Sequence, residues 1–542
     1  MKFIATVLSI IALGFGLIGC PGSGGGGGGS STPAFAVSTT SANFGVVGNA
    51  YTSTLAATGG TAPFTWMLSG GTLPTGSPAL SLDAGTGVVS GTPTAAGNFI
   101  AVFIVTDSTG KTATGSVLFA VHPKTDLLSM DNSVPPVPGN GASSTPSISD
   151  DGRIVAFASL AGNLSSGGVG SQIYVHDWQT NQTTLISRNG TAALSTGGNG
   201  GSTAPSISGD GRFVAFVSNA TDLLPAGSPT VTGQQIYVHD RQLGVTSLVS
   251  RNNSGAPATA GSINISPSVN GNGRFIAFIS DATNLGATGT QVYLQDTQVG
   301  GQTILISKNN DPTPAQGNGN SSTPSISNDG CFVAFASAST NLGDPAANQI
   351  HVRGPLAIAS CAGTEQTTLV SESTSGATSN GIVNSSPSVS GNGRFIAFVS
   401  DATNLGATGT QVYLHDTQGG GQTILISKDN LIIPTPGNGI SVTPSISSDG
   451  CFVAFESAST NLGASANQIY VRGPLAVAGC AGTEQTTLVS KDNSGTPANG
   501  AAGSTVDPSA SGNGQFIAFS SSSTNLTSPP PGNRQIYVRA MP

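Results

Sequence analysis

The chain has 542 residues, of which 8% are charged and 76 are glycine, with 17 basic against 25 acidic residues and a net charge of −8. That length allows two or more domains, and so few charges leave solubility to Ser, Thr, Asn and Gln. The chain lacks the basic surface that phosphates need, which argues against nucleic-acid binding, and no second apolar run is long enough to span a bilayer.

In chain order, Lys2 precedes an almost wholly apolar run from Phe3 to Phe15, then Leu17-Ile18-Gly19-Cys20. This resembles the lipobox of bacterial lipoproteins; the alternative is a plain secretory signal with a chance cysteine. The resemblance implies a signal peptide over 1–19, cleaved before Cys20, and lipidation of that cysteine. Pro21 stands where an Asp is associated with inner-membrane retention, so the implied address is the outer membrane, if the cell has one. Residues 20–33, with unbroken glycine from Gly24 to Gly29, read as a tether with a root-mean-square reach of about 20 Å.

Residues 34–122 form a first module. Runs such as Phe99-Ile100-Ala101-Val102-Phe103-Ile104-Val105, separated by Gly, Pro, Asp and Thr turns, predict an all-β sandwich. Three segments are distinctive: Gly59-Gly60-Thr61-Ala62-Pro63-Phe64-Thr65-Trp66, Gly71-Thr72-Leu73-Pro74, and Thr86-Gly87-Val88-Val89-Ser90-Gly91-Thr92-Pro93. Together they resemble the Ig-like domains repeated along bacterial surface proteins. Trp66 is the expected core aromatic. Some relatives in that superfamily bind calcium, but Asp83 and Asp107 have no acidic residue near them in sequence, so support for calcium is weak and no cofactor is expected.

Residues 123–542 repeat a unit that begins Pro-Ser-Ile-Ser and Asp-Gly-Arg. It goes on through Phe-Val-Ala-Phe-x-Ser, Thr-Asn-Leu and Gln-Ile-Tyr-Val-His-Asp, and ends Thr-Thr-Leu-Val-Ser. The turn glycines Gly152, Gly211, Gly273, Gly330, Gly393, Gly450 and Gly514 mark seven copies, 57 to 64 residues apart. Copies three and four recur as five and six at an offset of 120 residues, the trace of a duplicated pair. Each copy holds four short β-type runs, and the Asp/Asn-Gly pair predicts a tight hairpin with positive φ at both turn positions. The expected fold is a seven-bladed β-propeller, and the repeat resembles the TolB-like, WD-related propellers of bacterial envelopes. The last copy lacks a fourth strand, while Thr125-Asp126-Leu127-Leu128-Ser129 matches Thr183-Thr184-Leu185-Ile186-Ser187. The N-terminal strand is therefore expected to complete the seventh blade and close the ring.

Four further cysteines fall in two copies only. Cys331 and Cys451 replace the Arg of the Asp-Gly-Arg turn, and Cys361 and Cys480 lie between the third and fourth runs of the same copies. First and third turns of a meander share one end of the blade, so Cys331–Cys361 and Cys451–Cys480 are the expected disulfides, consistent with export. A metal site is the rival reading, with no histidine beside either pair.

No catalytic constellation is legible. His176, His239 and His415 share a slot filled elsewhere by Gln295, Arg353, Arg472 and Arg539, which marks a polar strand position. The acids of Asp150-Asp151-Gly152 and Gly209-Asp210-Gly211 are turn formers, and Asn284, Asn341, Asn404, Asn461 and Asn525 are expected local turn caps. Long polar loops, such as 188–204 and 251–265, emerge with the Thr-Asn-Leu segments on one face and would suit protein or glycan. The expected protein is thus an exported, lipid-anchored, monomeric binding or scaffolding module of the envelope, not an enzyme, held to the membrane by its N-terminal lipid alone. The alternative is an envelope hydrolase or lyase with acids, His or Arg converging on the propeller's central channel.

Overall fold

The computed structural model describes residues 33–541, apart from 78, 166–167, 191–195, 299, 344–347, 358–360, 419–420, 465–466, 477–479, 501–504 and 529. Among these residues there is no α-helix; single 3-10 turns occur at Thr283–Leu285, Thr403–Leu405 and Thr460–Leu462.

The N-terminal module packs a four-stranded sheet, in the order Gly45–Val46, Thr112–His122, Gly97–Thr106 and Thr65–Gly71, against a three-stranded one of Tyr51–Thr54, Val88–Gly91 and Ser81–Leu82. Alternation sends Phe103, Val105, Val117 and Phe119 inward with Trp66 and Val89, all at most 4% exposed.

The remainder forms seven four-stranded antiparallel sheets. The first is Ser143–Ile148, Ile154–Ser159, Gln172–Asp177 and Gln182–Leu185, and five more follow in the same order. The seventh comprises Thr505–Ala510, Phe516–Ser521 and Gln535–Ala540, with Thr125–Leu127 as its outer strand. In that strand Thr125 lies opposite Arg539 and Leu127 opposite Tyr537.

The repeat consensus is explained strand by strand. Second strands are buried on both faces because each blade is covered by its neighbours. Their Phe stacks across the sheet on the Tyr of the third strand, as in Phe157–Tyr174 at 5.8 Å and Phe519–Tyr537 at 5.7 Å. His351 takes the Tyr place in blade four. The Gln before Ile-Tyr accepts a hydrogen bond from the Ser two residues past the fourth strand, as when Ser187 Oγ donates to Gln172 Oε1 at 2.7 Å.

The first turn is wider than the sequence predicts. Five residues, Ser149 to Arg153, connect the first two strands, and only Gly152 has positive φ, at 74°. Asp151 instead stays at negative φ and accepts from the Arg153 backbone N–H at 2.9 Å. Glycine is required there twice over, since a Cβ would also lie 2.1 Å from the Phe516 ring of the neighbouring blade.

The two modules meet through an aromatic cluster. Phe44 of the sandwich sits 5.1 Å from Trp178 and 5.5 Å from Phe516, ring centre to centre, and His122 lies 4.7 Å from Trp178. Trp178 Nε1 donates to Asp126, which also pairs with His122, while Asn49 and Gln179 bond backbone carbonyls across the junction. Trp178, Phe516 and Met541 all lie at the ends of their blades that carry the first and third turns, so the sandwich sits on that face, hereafter the proximal face.

Candidate functional site

The proximal face carries a repeated ion pair. In blades one, two, three and five, the turn arginine forms a paired contact with the Asp that ends the third strand: Arg153–Asp177, Arg212–Asp240, Arg274–Asp296 and Arg394–Asp416, at 2.6–2.9 Å. Burial opposes the charges of Asp177, Asp240 and Asp416, but their arginines and turn N–H groups hold the carboxyls below the usual range. In blades four and six the same two turns are joined by disulfides, Cys331–Cys361 and Cys451–Cys480, with Cα atoms 5.7 Å apart. Cys20 lies outside the described residues.

The histidine slot is structural. His176, His239 and His415 each place Nδ1 2.9–3.0 Å from the hydroxyl of a fourth-strand Thr. Gln295, Arg353, Arg472 and Arg539 bond the equivalent Thr in their own blades. Burial pushes His176 and His239 down to about 4, so both are neutral at pH 7. Among the described residues, no three His, Cys, Asp or Glu side chains are grouped to hold a metal. Asp83 and Asp107 instead cap their own turns.

The central channel is sealed towards the proximal face. The residue before each Asp/Asn-Gly pair joins a closed ring of backbone hydrogen bonds, each blade donating to the next, from Asp150 N→Gly209 O at 2.9 Å round to Gly512 N→Asp150 O at 3.0 Å. Four of these seven positions are Gly; the other three, Asp150, Asn328 and Ser448, send their side chains across the axis to one another. Asn328 Nδ2 donates to Asp150 at 2.6 Å and to Ser448 Oγ at 2.8 Å, and Ser448 Oγ donates to Asp150 at 2.7 Å. The glycines make room for this seal, for a Cβ on Gly209 would lie 2.3 Å from Asp150 Oδ2. Asp150 is thus more than the turn former the sequence suggests.

Above the seal, a cavity of about 350 Å³ is walled by the seven X-Pro pairs of the first strands, from Thr145-Pro146 to Asp507-Pro508. Each X sits in a β-bulge at φ 46–57°, where proline's missing N–H costs no ladder bond. Six of the seven X residues are Thr, Ser or Ala. The seventh is Asp507, whose carboxyl is raised by burial although it bonds the Thr145 backbone. Beside it, Glu456 of blade six accepts from Asn467 Nδ2 at 2.5 Å. Its carboxyl is also raised, by burial first and by the Asp507 charge as well, while Arg534 favours the ionised form of both. Asp507 on the channel wall and Glu456 beside it thus come from adjacent blades, with the Arg534 charge acting on both. The mouth can accept hydrogen bonds from hydroxyl or ammonium groups, and a protonated carboxyl there could donate one.

The sequence reading missed Glu456 and Asp507. The signal was their departure from the repeat: the x of Phe-x-Ser is Ala, Val, Ile or Ser in the other blades.

The opposite, distal face carries the Thr-Asn-Leu segments and the interblade loops. The asparagines expected to be local caps instead clip the preceding loop onto the blade. Asn341 Oδ1 accepts from Asn318 N and its Nδ2 donates to Gln316 O, across more than twenty residues; Asn284, Asn404, Asn461 and Asn525 act alike.

None of the curated proteins matches the chain. Solved structures similar to it include one described as putative TolB from Agrobacterium tumefaciens, at 17% identity over 54% of this chain and 81% of that one, with a TM-score of 0.31. The β-propeller domain of the Trilobed protease of Pyrococcus furiosus matches at 12% identity over 74% and 93%, TM-score 0.40. The acylaminoacyl peptidase of Pyrococcus horikoshii matches at 12% over 70% and 49%, TM-score 0.39. By their own topology the described sheets make an all-β chain of sandwich and propeller, and residues 30–122 match the model of the family described as Putative Ig domain.

Proposed function

We propose that this is an exported envelope lipoprotein, anchored through Cys20, whose propeller binds a protein or glycan at its distal face. The observation that carries the reading is the blind channel: sealed by Asp150, Asn328 and Ser448, it opens only on the face the sandwich leaves free. A rigid ring with a polar pocket at its centre and clipped loops around it suits recognition through hydrogen bonds. The disulfides fit an oxidising compartment. Immobilised protein, offered polysaccharides and envelope proteins in calcium and in chelator, should retain a ligand. Asp507→Asn should weaken retention about tenfold, the worth of one hydrogen bond to a charged group. No retention by the wild type in either condition, or retention indifferent to Asp507→Asn, overturns the reading.

One observation favours a second reading, a hydrolase or lyase working at the channel mouth: Asp507 lines the channel, Glu456 stands beside it on the adjacent blade, and burial raises both carboxyls, as suits proton transfer. Released fragments from the same polysaccharides, abolished by Glu456→Gln, would establish it; retention without fragments favours binding alone.

A further inference from the structure

The repeat supplies an internal control for charge. In blades four and six the third-strand arginine, Arg353 or Arg472, shares a glutamate with a lysine just past the fourth strand of the preceding blade. Glu365 lies 2.8 Å from Arg353 Nε and 3.3 Å from Lys308 Nζ, and Glu484 stands at the same two distances from Arg472 and Lys428. Blade seven repeats both cations, as Arg539 and Lys491. The backbone carbonyl of Lys491 accepts from Arg539 Nη1, as that of Lys308 does from Arg353. The glutamate, however, is missing. Thr125 pairs with Arg539 as Thr367 does with Arg353 and Thr486 with Arg472, so the register puts Pro123 in the place of Glu365 and Glu484. The next residue, Gln366 or Gln485 in the sister blades, is here a third cation, Lys124.

Nothing among the described residues replaces that carboxylate. Arg539 is 6% exposed and bonds only through Nη1, to Thr125 Oγ1 and two backbone carbonyls; its Nε, the atom that holds the glutamate in the sister blades, has no partner there. Asp492 favours the Arg539 charge but caps its own turn, accepting from the Ser494 and Thr496 backbone N–H groups. Blade six has the matching acid, Asp429, which caps its turn in the same way, and holds Glu484 in addition. Burial lowers Arg539 to about 10, and burial followed by the charges of Arg539 and Lys124 lowers Lys491. The third ammonium lies against the sandwich, where a Cβ on Gly48 would come 3.2 Å from Lys124 Nζ. A cation taken out of water is costly unless a counter-ion meets it.

We propose that Lys124, Lys491 and Arg539 form an oxyanion site at the outer edge of blade seven, filled by a carboxylate or phosphate group of an external ligand. An anionic oxygen between Arg539 Nε and the Lys491 ammonium takes the place of the glutamate oxygen, and Lys124 adds a donor that the sister blades lack. The site is separate from the channel and does not rest on the distal-face reading.

The test is calorimetric titration of the full chain, in detergent, with sodium phosphate and separately with sodium glucuronate, at constant ionic strength in chloride. Glucose is the neutral control. One or both anions should bind and glucose should not; tighter binding of phosphate assigns the site to a phosphoryl group, tighter binding of glucuronate to a carboxylate. Arg539→Gln, which copies Gln295, and Lys491→Gln, on a partly exposed side chain, should each weaken binding about tenfold, the worth of one hydrogen bond between charged groups. Pro123→Glu, which restores the sister carboxylate, should abolish binding and raise the melting temperature. Failure of both anions to bind the wild type, binding of glucose equal to theirs, or undiminished binding by Lys491→Gln and Pro123→Glu would each overturn the site. Asp507 plays no part in this experiment, so its failure leaves ligand binding at the distal face untouched.

Discussion

The two faces of the propeller are built from the same seven repeats yet are held in opposite ways. On the proximal face, turn is tied to turn by ion pairs and disulfides, the axis is sealed, and an aromatic cluster docks the sandwich. On the distal face the ties are clips from Asn side chains, and from Asp222, Asp281 and Asp401, to the loop backbone, the channel opens, and large apolar residues stand in solvent. One face thus uses ion pairs and covalent links to fix geometry, and the other leaves a hydrogen-bonding surface available.

The largest test of that contrast removes the strand on which the ring depends. Deleting residues 124–130 strips Thr125–Leu127 from the seventh sheet and Asp126 from the junction, and should lower the melting temperature markedly. An unchanged melting temperature would mean that the seventh sheet does not need its outer strand. Next, Trp178→Ala empties a fully buried site beneath the sandwich and should cost about 3–5 kcal/mol in denaturant unfolding. A loss confined to the sandwich transition would show that the two modules unfold separately.

The proximal ties can be ranked against each other. Removing one disulfide, by Cys331→Ser with Cys361→Ser, should cost about 2–4 kcal/mol by chemical denaturation. Arg153→Ala, which breaks a half-exposed ion pair at the equivalent place, should cost about 1 kcal/mol or less. Equal losses would show that the disulfide does no more than the ion pair it replaces.

pH separates the strand slot from the channel. The folded-state values of His176 and His239 lie near 4, below the ordinary 6.5, so their contribution is complete above 6.5 and is lost as pH falls towards 4. His176→Gln with His239→Gln, copying Gln295, should flatten that stretch of the stability profile measured by thermal melts. Glu456 and Asp507 have the reverse sign, because burial raises both. Glu456→Gln or Asp507→Asn should slightly raise the melting temperature at pH 7, with the gain vanishing below the ordinary carboxylate range. A drop at pH 7 would mean that the ionised carboxylates support the fold.

The sequence by itself determined the repeat, the number of copies, the four strands in each, the sandwich ahead of them and the cysteine pairing. These follow from local alternation and from departures that coincide within one copy. It also identified the histidine slot as structural, because Gln and Arg substitute there. It misjudged the first turn, whose glycine packs against a side chain of the preceding blade, and the Thr-Asn-Leu asparagines, whose partners lie more than twenty residues away. Only the tertiary structure decided that Asp150, Asn328 and Ser448, spread over 298 residues, meet on one axis, or that Glu456 and Asp507 share one mouth. The physical reason is the ring: it brings residues from separate blades to a common axis, and no periodicity along the chain records which of them arrive together.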